Sequence, residues 1–211
     1  MLIDLSHPLR DGMSSFPGDP VLSVTSFHTT SSPAKCNVSQ VAMGTHQGTH
    51  LDAMFHFLDD GKTIDQMPLE WFQGPARMIR VPKTAGDIID VADLANHEAV
   101  LQPGARILLN TGWFREFGSD HFFTEFPSMT QEAARYLASR QLRLIGMDMP
   151  TPSKDYVEVH HILLAKEVEM VIVESLANLD ALPDDREFMF TGFPLNFAGR
   201  DGSPIRAVAQ V

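Results

Sequence analysis

His46-Gln47-Gly48-Thr49-His50-Leu51-Asp52-Ala53-Met54-Phe55-His56 gathers three of the chain's nine histidines and one aspartate into eleven residues. Imidazole and carboxylate are the usual protein ligands of Zn²⁺, Mn²⁺ and Fe²⁺. Every offset among His46, His50, Asp52 and His56 is even, so a straight strand would present all four on one face. At about 3.3 Å per residue, however, His46 and Asp52 would then stand roughly 20 Å apart, whereas metal–ligand bonds are only about 2 Å long. A regular helix pairs His46 with His50 but turns Asp52 to another face. The segment must therefore bend, and Gly44 and Gly48 supply permissive backbone. The reading predicts a strand that turns at Gly48 and leads into a helical or irregular stretch, so that His46, His50 and Asp52 converge on one ion. The competing reading is an exposed polar strand and loop, and spacing alone leaves the two even. The small and hydroxylated neighbours in Gly48-Thr49-His50-Leu51-Asp52 favour ligands, because they leave room for a tight turn and supporting hydrogen bonds.

Outward from this segment the chain reads as mixed α/β. Residues 2–5, 21–27, 37–43, 75–81, 106–110, 142–147, 170–173, 187–193 and 205–209 have the length and apolar pattern of strands. Residues 10–20 are dense in turn formers. Residues 129–140 predict a helix capped by Thr130, with Ala133, Ala134, Leu137 and Ala138 on one stripe. Residues 157–166 predict a second helix. Residues 83–103 and 114–129 read as long irregular segments of the kind that carry function. Strands outnumber helices, which predicts one α/β domain over residues 1–211 with a large, partly antiparallel mixed sheet.

Glu174 ends the buried run Met170-Val171-Ile172-Val173, and a carboxylate at the tip of a buried strand needs a partner. That partner is a salt bridge on the residue pattern alone, and a metal or catalytic group once the upstream cluster is considered. Cys36 has nothing nearby to make it a nucleophile and reads as a small buried or half-buried side chain. No Gly-x-Ser-x-Gly elbow, Walker or dinucleotide fingerprint occurs.

The formal net charge of −11 and the lack of a dense Lys/Arg cluster exclude a nucleic-acid binder. No run of about 18 apolar residues is available for a membrane span. The opening Met1-Leu-Ile-Asp-Leu5 lacks the pattern of a signal peptide, and one cysteine allows no internal disulfide. The expectation is a cytoplasmic protein acting on a small molecule.

The segment also resembles the His-x-Gly-Thr-His-x-Asp-x-Pro-x-His signature of the metal-dependent cyclase family, which includes bacterial kynurenine formamidases and isatin hydrolases. Leu2-Ile-Asp-Leu-Ser-His-Pro-Leu9 and Phe16-Pro-Gly-Asp-Pro20 are similar to the family's opening. Gly61-Lys-Thr-Ile-Asp-Gln-Met-Pro-Leu69, Asn110-Thr-Gly-Trp113 and Leu144-Ile-Gly-Met-Asp148 are similar to its later landmarks. The resemblance covers nearly the whole chain. Met54 departs from it, standing where the family usually has proline.

The resemblance implies a swivelling β/β/α fold, a homodimer or homotetramer, and one or two divalent ions, Zn²⁺ or Mn²⁺. It implies His46, His50 and Asp52 as metal ligands and His56 as the catalytic histidine. The distal ligands fall on Glu174 and on His160, which precedes Leu163-Leu164 as the family's histidine does, with His161 the alternative. The connection from there to Glu174 is about two residues longer than usual, around Ala165 to Met170. The activity implied is metal-assisted hydrolysis of an amide carbon–nitrogen bond, with an isatin- or lactone-type ring opener and a non-catalytic metal-binding protein as alternatives. An aromatic or cyclic substrate would need a flat pocket, for which Phe16, Phe55 and Trp113 are the candidate lining residues.

Overall fold

A computed structural model describes residues 1–211. In chain order its strands are β1 (Leu2–Asp4), β2 (Ser23–His28), β3 (Val38–Ala42), β4 (His50–Asp52), β5 (Gln73–Arg80), β6 (Ile88–Ile89) and β7 (Arg106–Asn110). There follow β8 (Ser128–Met129), β9 (Leu144–Met147), β10 (Val171–Glu174), β11 (Phe188–Thr191), β12 (Gly202–Pro204) and β13 (Val208–Gln210). The helices are α1 (Val91–Ala95), α2 (Gln131–Ser139) and α3 (Tyr156–Leu164).

Nine strands form one curled mixed sheet in the order β1-β13-β11-β5-β7-β9-β10-β4-β12. β5, β7, β9 and β10 run parallel at its centre, and β4 and β12 add antiparallel at one end. The central strands are buried on both sides, as parallel strands generally are. Their alternating side chains divide between two cores. Ile107, Leu109, Ile145 and Ile172 point into the core shared with α2 and α3. Leu108, Leu144, Val171 and Val173 point into a second core, closed by Ile3, Phe188, Phe190 and Ala209 of the curled edge. The fold is thus the single-domain α/β architecture with a large mixed sheet that the sequence predicts.

Most predicted elements lie where the pattern puts them. The Thr130 side chain accepts a hydrogen bond from the Ala133 N–H and caps α2. The irregular segments are more ordered than expected. Residues 83–103 contain β6 and α1, the latter capped by a reciprocal Asp90–Asp93 pair. Residues 114–129 end in β8, which pairs with β6. All three elements are too short to show periodicity. Cys36 is not buried: it is exposed in the turn between β2 and β3. That ribbon pairs only with itself and takes no part in the nine-stranded sheet, so Cys36 reaches neither core. No helix is long and apolar enough to cross a membrane.

The opening segment is tied to the sheet through Thr49, whose hydroxyl accepts from the His7 N–H and donates to the Ser175 carbonyl. The His7 ring stacks on Phe117 at 3.6 Å. Burial lowers the His7 pKa from 6.5 to about 4. The unfolded chain therefore binds a proton at His7 that the folded chain rejects between those values. Its contribution to stability is full above pH 6.5 and is lost as pH falls toward 4. His7→Phe keeps the stack without the proton site. The expected result is a smaller loss of stability in acid than in the parent, on the order of 2 kcal/mol at pH 4, read by urea unfolding across pH.

Candidate metal centre

Strand register explains how distant residues meet. β4 pairs antiparallel with β10 so that His50 lies opposite Glu174, Leu51 opposite Val173 and Asp52 opposite Ile172. Leu51 and Val173 point into the second core. Alternation then turns His50, Asp52 and Glu174 together toward the helical side. On α3, Val159, Leu163 and Leu164 face the helical-side core, and His160 is buried with them. His161, one position on, is exposed and its Nε2 sits 3.1 Å from the Phe57 carbonyl. Of the two candidates, His160 is therefore the one that reaches the cluster. Between α3 and β10 the chain makes a turn in which the Val168 and Glu169 N–H groups donate to the Ala165 carbonyl.

The bend in the opening segment is real but differs from the expectation. His46 lies in a turn, Gly48 takes a left-handed φ of +64°, and the strand comes after it rather than before. A 3₁₀ turn over Met54–His56 then brings His56 back, its ring stacked on His46 at 3.8 Å. Met54, the departure from the family signature, is buried in the second core.

Asp52 is fully buried and lies at the centre. His46 Nδ1 stands 2.9 Å from Asp52 Oδ1, and His50 Nε2 stands 3.5 Å from the same oxygen. His160 Nε2 is 3.4 Å from Asp52 Oδ2 and 3.3 Å from Glu174 Oε1. His50 Nε2 is 3.3 Å from Glu174 Oε2. Two potential donor groups result, His46/Asp52/His56 and His50/Asp52/Glu174, each with its ligand atoms within 4.8 Å of one another and with Asp52 common to both.

These residues fit a divalent ion on three counts. The donor set is imidazole and carboxylate, which suits Zn²⁺ and Mn²⁺ alike. His50 Nε2 and Asp52 Oδ2 are buried without an aligned hydrogen-bond partner, a costly arrangement unless something else satisfies them. Finally, ligands bound at about 2.0–2.1 Å in a tetrahedral sphere stand roughly 3.3 Å apart, close to the separations of 3.3–3.5 Å among His50, His160, Asp52 and Glu174.

The electrostatics follow from two buried carboxylates among four imidazoles. Burial pushes His46 down, but hydrogen bonds to Asp201 and Asp52 outweigh it and raise its pKa to about 10. Burial likewise opposes His160, whose contacts with Asp52 and Glu174 raise it to about 9. Asp52 is pushed up by burial but held well below the usual carboxylate range by His160 and His46. His56 goes the other way: burial lowers it to about 4, only partly opposed by Asp52. It is therefore neutral at pH 7 and able to accept a proton.

The cluster forms the floor of a cavity of about 320 Å³ whose walls include Phe16, Phe57, Phe117, Phe123 and Tyr156. Phe16 is the one predicted lining residue that reaches it. Gln47 holds that loop over the floor, accepting from the Ser15 hydroxyl and donating to the Ser14 carbonyl. Phe55 is exposed and does not line the cavity. Trp113 does not line the cavity either: it is buried in the helical-side core, its indole N–H donating to the Phe122 carbonyl. The cause is Asp148, fully buried, which accepts from the N–H groups of Thr111, Gly112 and Phe114 and from the Thr111 hydroxyl. Two landmarks far apart in sequence are thereby pinned together, and Trp113 is drawn inward while Phe117 reaches the cavity.

Sequence reasoning missed Asp201. Its Oδ2 lies 2.7 Å from His46 Nε2, accepts from the Thr45 hydroxyl at 2.9 Å and stands 4.0 Å from His56 Nδ1. The His46 contact holds its carboxyl well below the usual range. Nothing local marks a lone aspartate in a Gly- and Pro-containing loop. The signal lies in the pairing of β12 with β4, which sets Gly202 opposite Asp52.

Comparison with known proteins agrees with this architecture. The kynurenine formamidase of Bacillus cytotoxicus is 33% identical over 212 residues, covering 99% of this chain and 96% of that protein. A solved structure described as a "predicted metal-dependent hydrolase from Bacillus stearothermophilus" superposes with a TM-score of 0.82 at 26% identity, covering 99% of this chain and 97% of the other. Isatin hydrolase A from Labrenzia aggregata, bound to benzyl benzoate, shares the fold with a TM-score of 0.87 at 24% identity, covering 99% and 93%. The Cyclase family model matches residues 3–154, a span that holds the whole His46–His56 segment and both landmarks joined by Asp148, and with that match this chain belongs to the Cyclase family.

Proposed function

We propose that this chain is a metal-dependent hydrolase of the arylformamidase type, cleaving an amide carbon–nitrogen bond in a small aromatic substrate. The observation that carries the reading is the buried, incompletely hydrogen-bonded His/Asp/Glu set under an aromatic-walled cavity, with a neutral histidine at its edge. His46, His50, Asp52, His160 and Glu174 would hold one or two divalent ions, Zn²⁺ or Mn²⁺. A divalent ion in such a site lowers the pKa of water and polarises a carbonyl oxygen.

The remaining chemistry belongs to the chain's own groups. Phe16 and Tyr156 meet edge to face at 5.8 Å, and Phe16 and Phe123 at 6.3 Å. These rings hold a flat substrate and exclude water from its faces. His56 takes a proton from the attacking water and returns it to the leaving amine nitrogen, acting as base and then acid. The similarity to a kynurenine formamidase supports the arylformamide class. The test is a hydrolysis panel of N-formylkynurenine, isatin and simple lactones. The formamide is expected to have the highest kcat/KM. Preference for isatin or a lactone would move the assignment to a ring-opening enzyme, and inertness of the metal-loaded protein toward all three would favour a binding role.

A homodimer or homotetramer and a cytoplasmic location belong to the same proposal. β2 and β3 pair only with each other, and Phe27, Val38 and Val41 on that ribbon are exposed. A two-stranded ribbon with exposed apolar side chains is marginal alone and is stabilised when another surface covers it. A mass of more than one chain by sedimentation equilibrium is expected, and a monomer at micromolar concentration contradicts it. A single free cysteine suits a reducing compartment.

A further inference from the structure

We infer that Asp201 is a positioning residue that fixes the tautomer and ring plane of His46, and through the stacked rings the orientation of His56. The inference rests on the metal-dependent reading above and adds a residue to it.

The geometry is specific. His46 presents Nδ1 to Asp52 Oδ1 at 2.9 Å and Nε2 to Asp201 Oδ2 at 2.7 Å. An imidazole that gives one nitrogen's lone pair to an ion is neutral and must carry its proton on the other nitrogen. Nδ1 is the nitrogen that faces Asp52, the residue common to both donor groups, so Nε2 keeps the proton and donates it to Asp201. A carboxylate behind a ligating histidine orients the ring and raises its basicity. The alternative tautomer would put the proton on Nδ1 and remove the ligand lone pair.

Asp201 is itself held in place. Its carbonyl accepts from the Ala53 N–H at 2.8 Å, Thr45 donates to the same Oδ2, and Gly202 pairs with Asp52 across the sheet edge. Gly202 also brings the backbone against the ring: a Cβ there would lie 2.6 Å from His46 Cε1 and 2.8 Å from the Leu51 carbonyl oxygen. The Asp201-Gly202 step is thus a wall behind His46. His56 stacks on the His46 ring at 3.8 Å and 25°, so tilt of the His46 ring is passed to the base.

The test is Co²⁺ binding to chelator-treated protein, measured by competition with a chromophoric chelator and by the visible spectrum of the Co²⁺ form. Asp201→Asn should bind Co²⁺ about 10–100-fold more weakly than the parent, with an altered visible band. Thr45→Val, which removes one support of Asp201 but leaves the His46–Asp201 contact in place, should weaken Co²⁺ binding less than Asp201→Asn does. Parent-like affinity and spectrum in Asp201→Asn would overturn the inference alone. Complete loss of binding in that variant would overturn it too, by making Asp201 a direct ligand. Failure of the parent to bind Co²⁺ would overturn the metal reading and the inference with it. A measurement independent of variant folding is the long-range ¹H–¹⁵N spectrum of the Zn²⁺-loaded parent. His46 is expected as the Nε2–H tautomer, and the Nδ1–H tautomer contradicts the proposal.

Discussion

Replacing Asp52 by asparagine is expected to abolish tight binding of a divalent ion and to reduce hydrolysis to background. Asp52 is fully buried, its two oxygens face three histidines, and it belongs to both potential donor groups. Asparagine matches its size but brings no charge and only one acceptor oxygen. The loss should exceed the roughly 10–100-fold effect of removing an outer partner of a ligand. Glu174→Gln is the informative comparison, because Glu174 belongs to one of the two groups only. Its effect on total ion content should be smaller. In ion-free protein, Asp52→Asn also leaves His46 and His160 short of a counter-charge, and removing one partner of a buried ionic cluster costs about 3–5 kcal/mol. Ion content and thermal unfolding of the same samples separate the two effects. Retention of full ion content by a folded Asp52→Asn would remove Asp52 from the ligand set.

His56→Ala is expected to behave in the opposite way, keeping the ion and losing turnover by about 10²–10⁴-fold, the range for a positioned general acid–base group. His56 is close enough to His46 and Asp52 to complete a donor group, so geometry alone admits it as a ligand. Exposure favours the base: of the stacked pair His56 has the more exposed side chain, 29% against 14% for His46, and it faces the cavity where a substrate is reached. Single-turnover hydrolysis alongside elemental analysis distinguishes the roles. Loss of the ion in His56→Ala would reassign His56 as a ligand and leave the proton transfer to another group.

Much of this site was legible before the fold was known, for physical reasons that differ from residue to residue. Glu174 announces itself because it ends the continuous apolar run Met170-Val171-Ile172-Val173, which puts a carboxylate at the tip of a buried strand. His160 is preferred over His161 through the resemblance, as the family's histidine precedes a Leu-Leu pair, and the fold supplies the physical reason: Leu163 and Leu164 lie on the buried face of α3. The need for a bend at Gly48 follows from the reach of the backbone. Other features depend on pairings between distant segments that no local pattern carries. β4 has three residues and β12 three, too few for periodicity, yet their pairing delivers Asp201 to His46. Trp113 has the composition of a pocket residue and is turned into the core by Asp148, which lies 36 positions from Gly112 in sequence. The cavity walls supplied by Phe57, Phe117, Phe123 and Tyr156 come from three separate segments and are recognisable only once those segments are folded together.

Metal content measured by elemental analysis, followed through chelation and re-addition while hydrolysis of an aryl formamide is recorded, tests the central claim most directly. The purified protein should contain one or two divalent ions per chain, lose activity in step with ion removal, and regain it with Zn²⁺ or Mn²⁺. Undiminished hydrolysis by a metal-free sample would contradict the account.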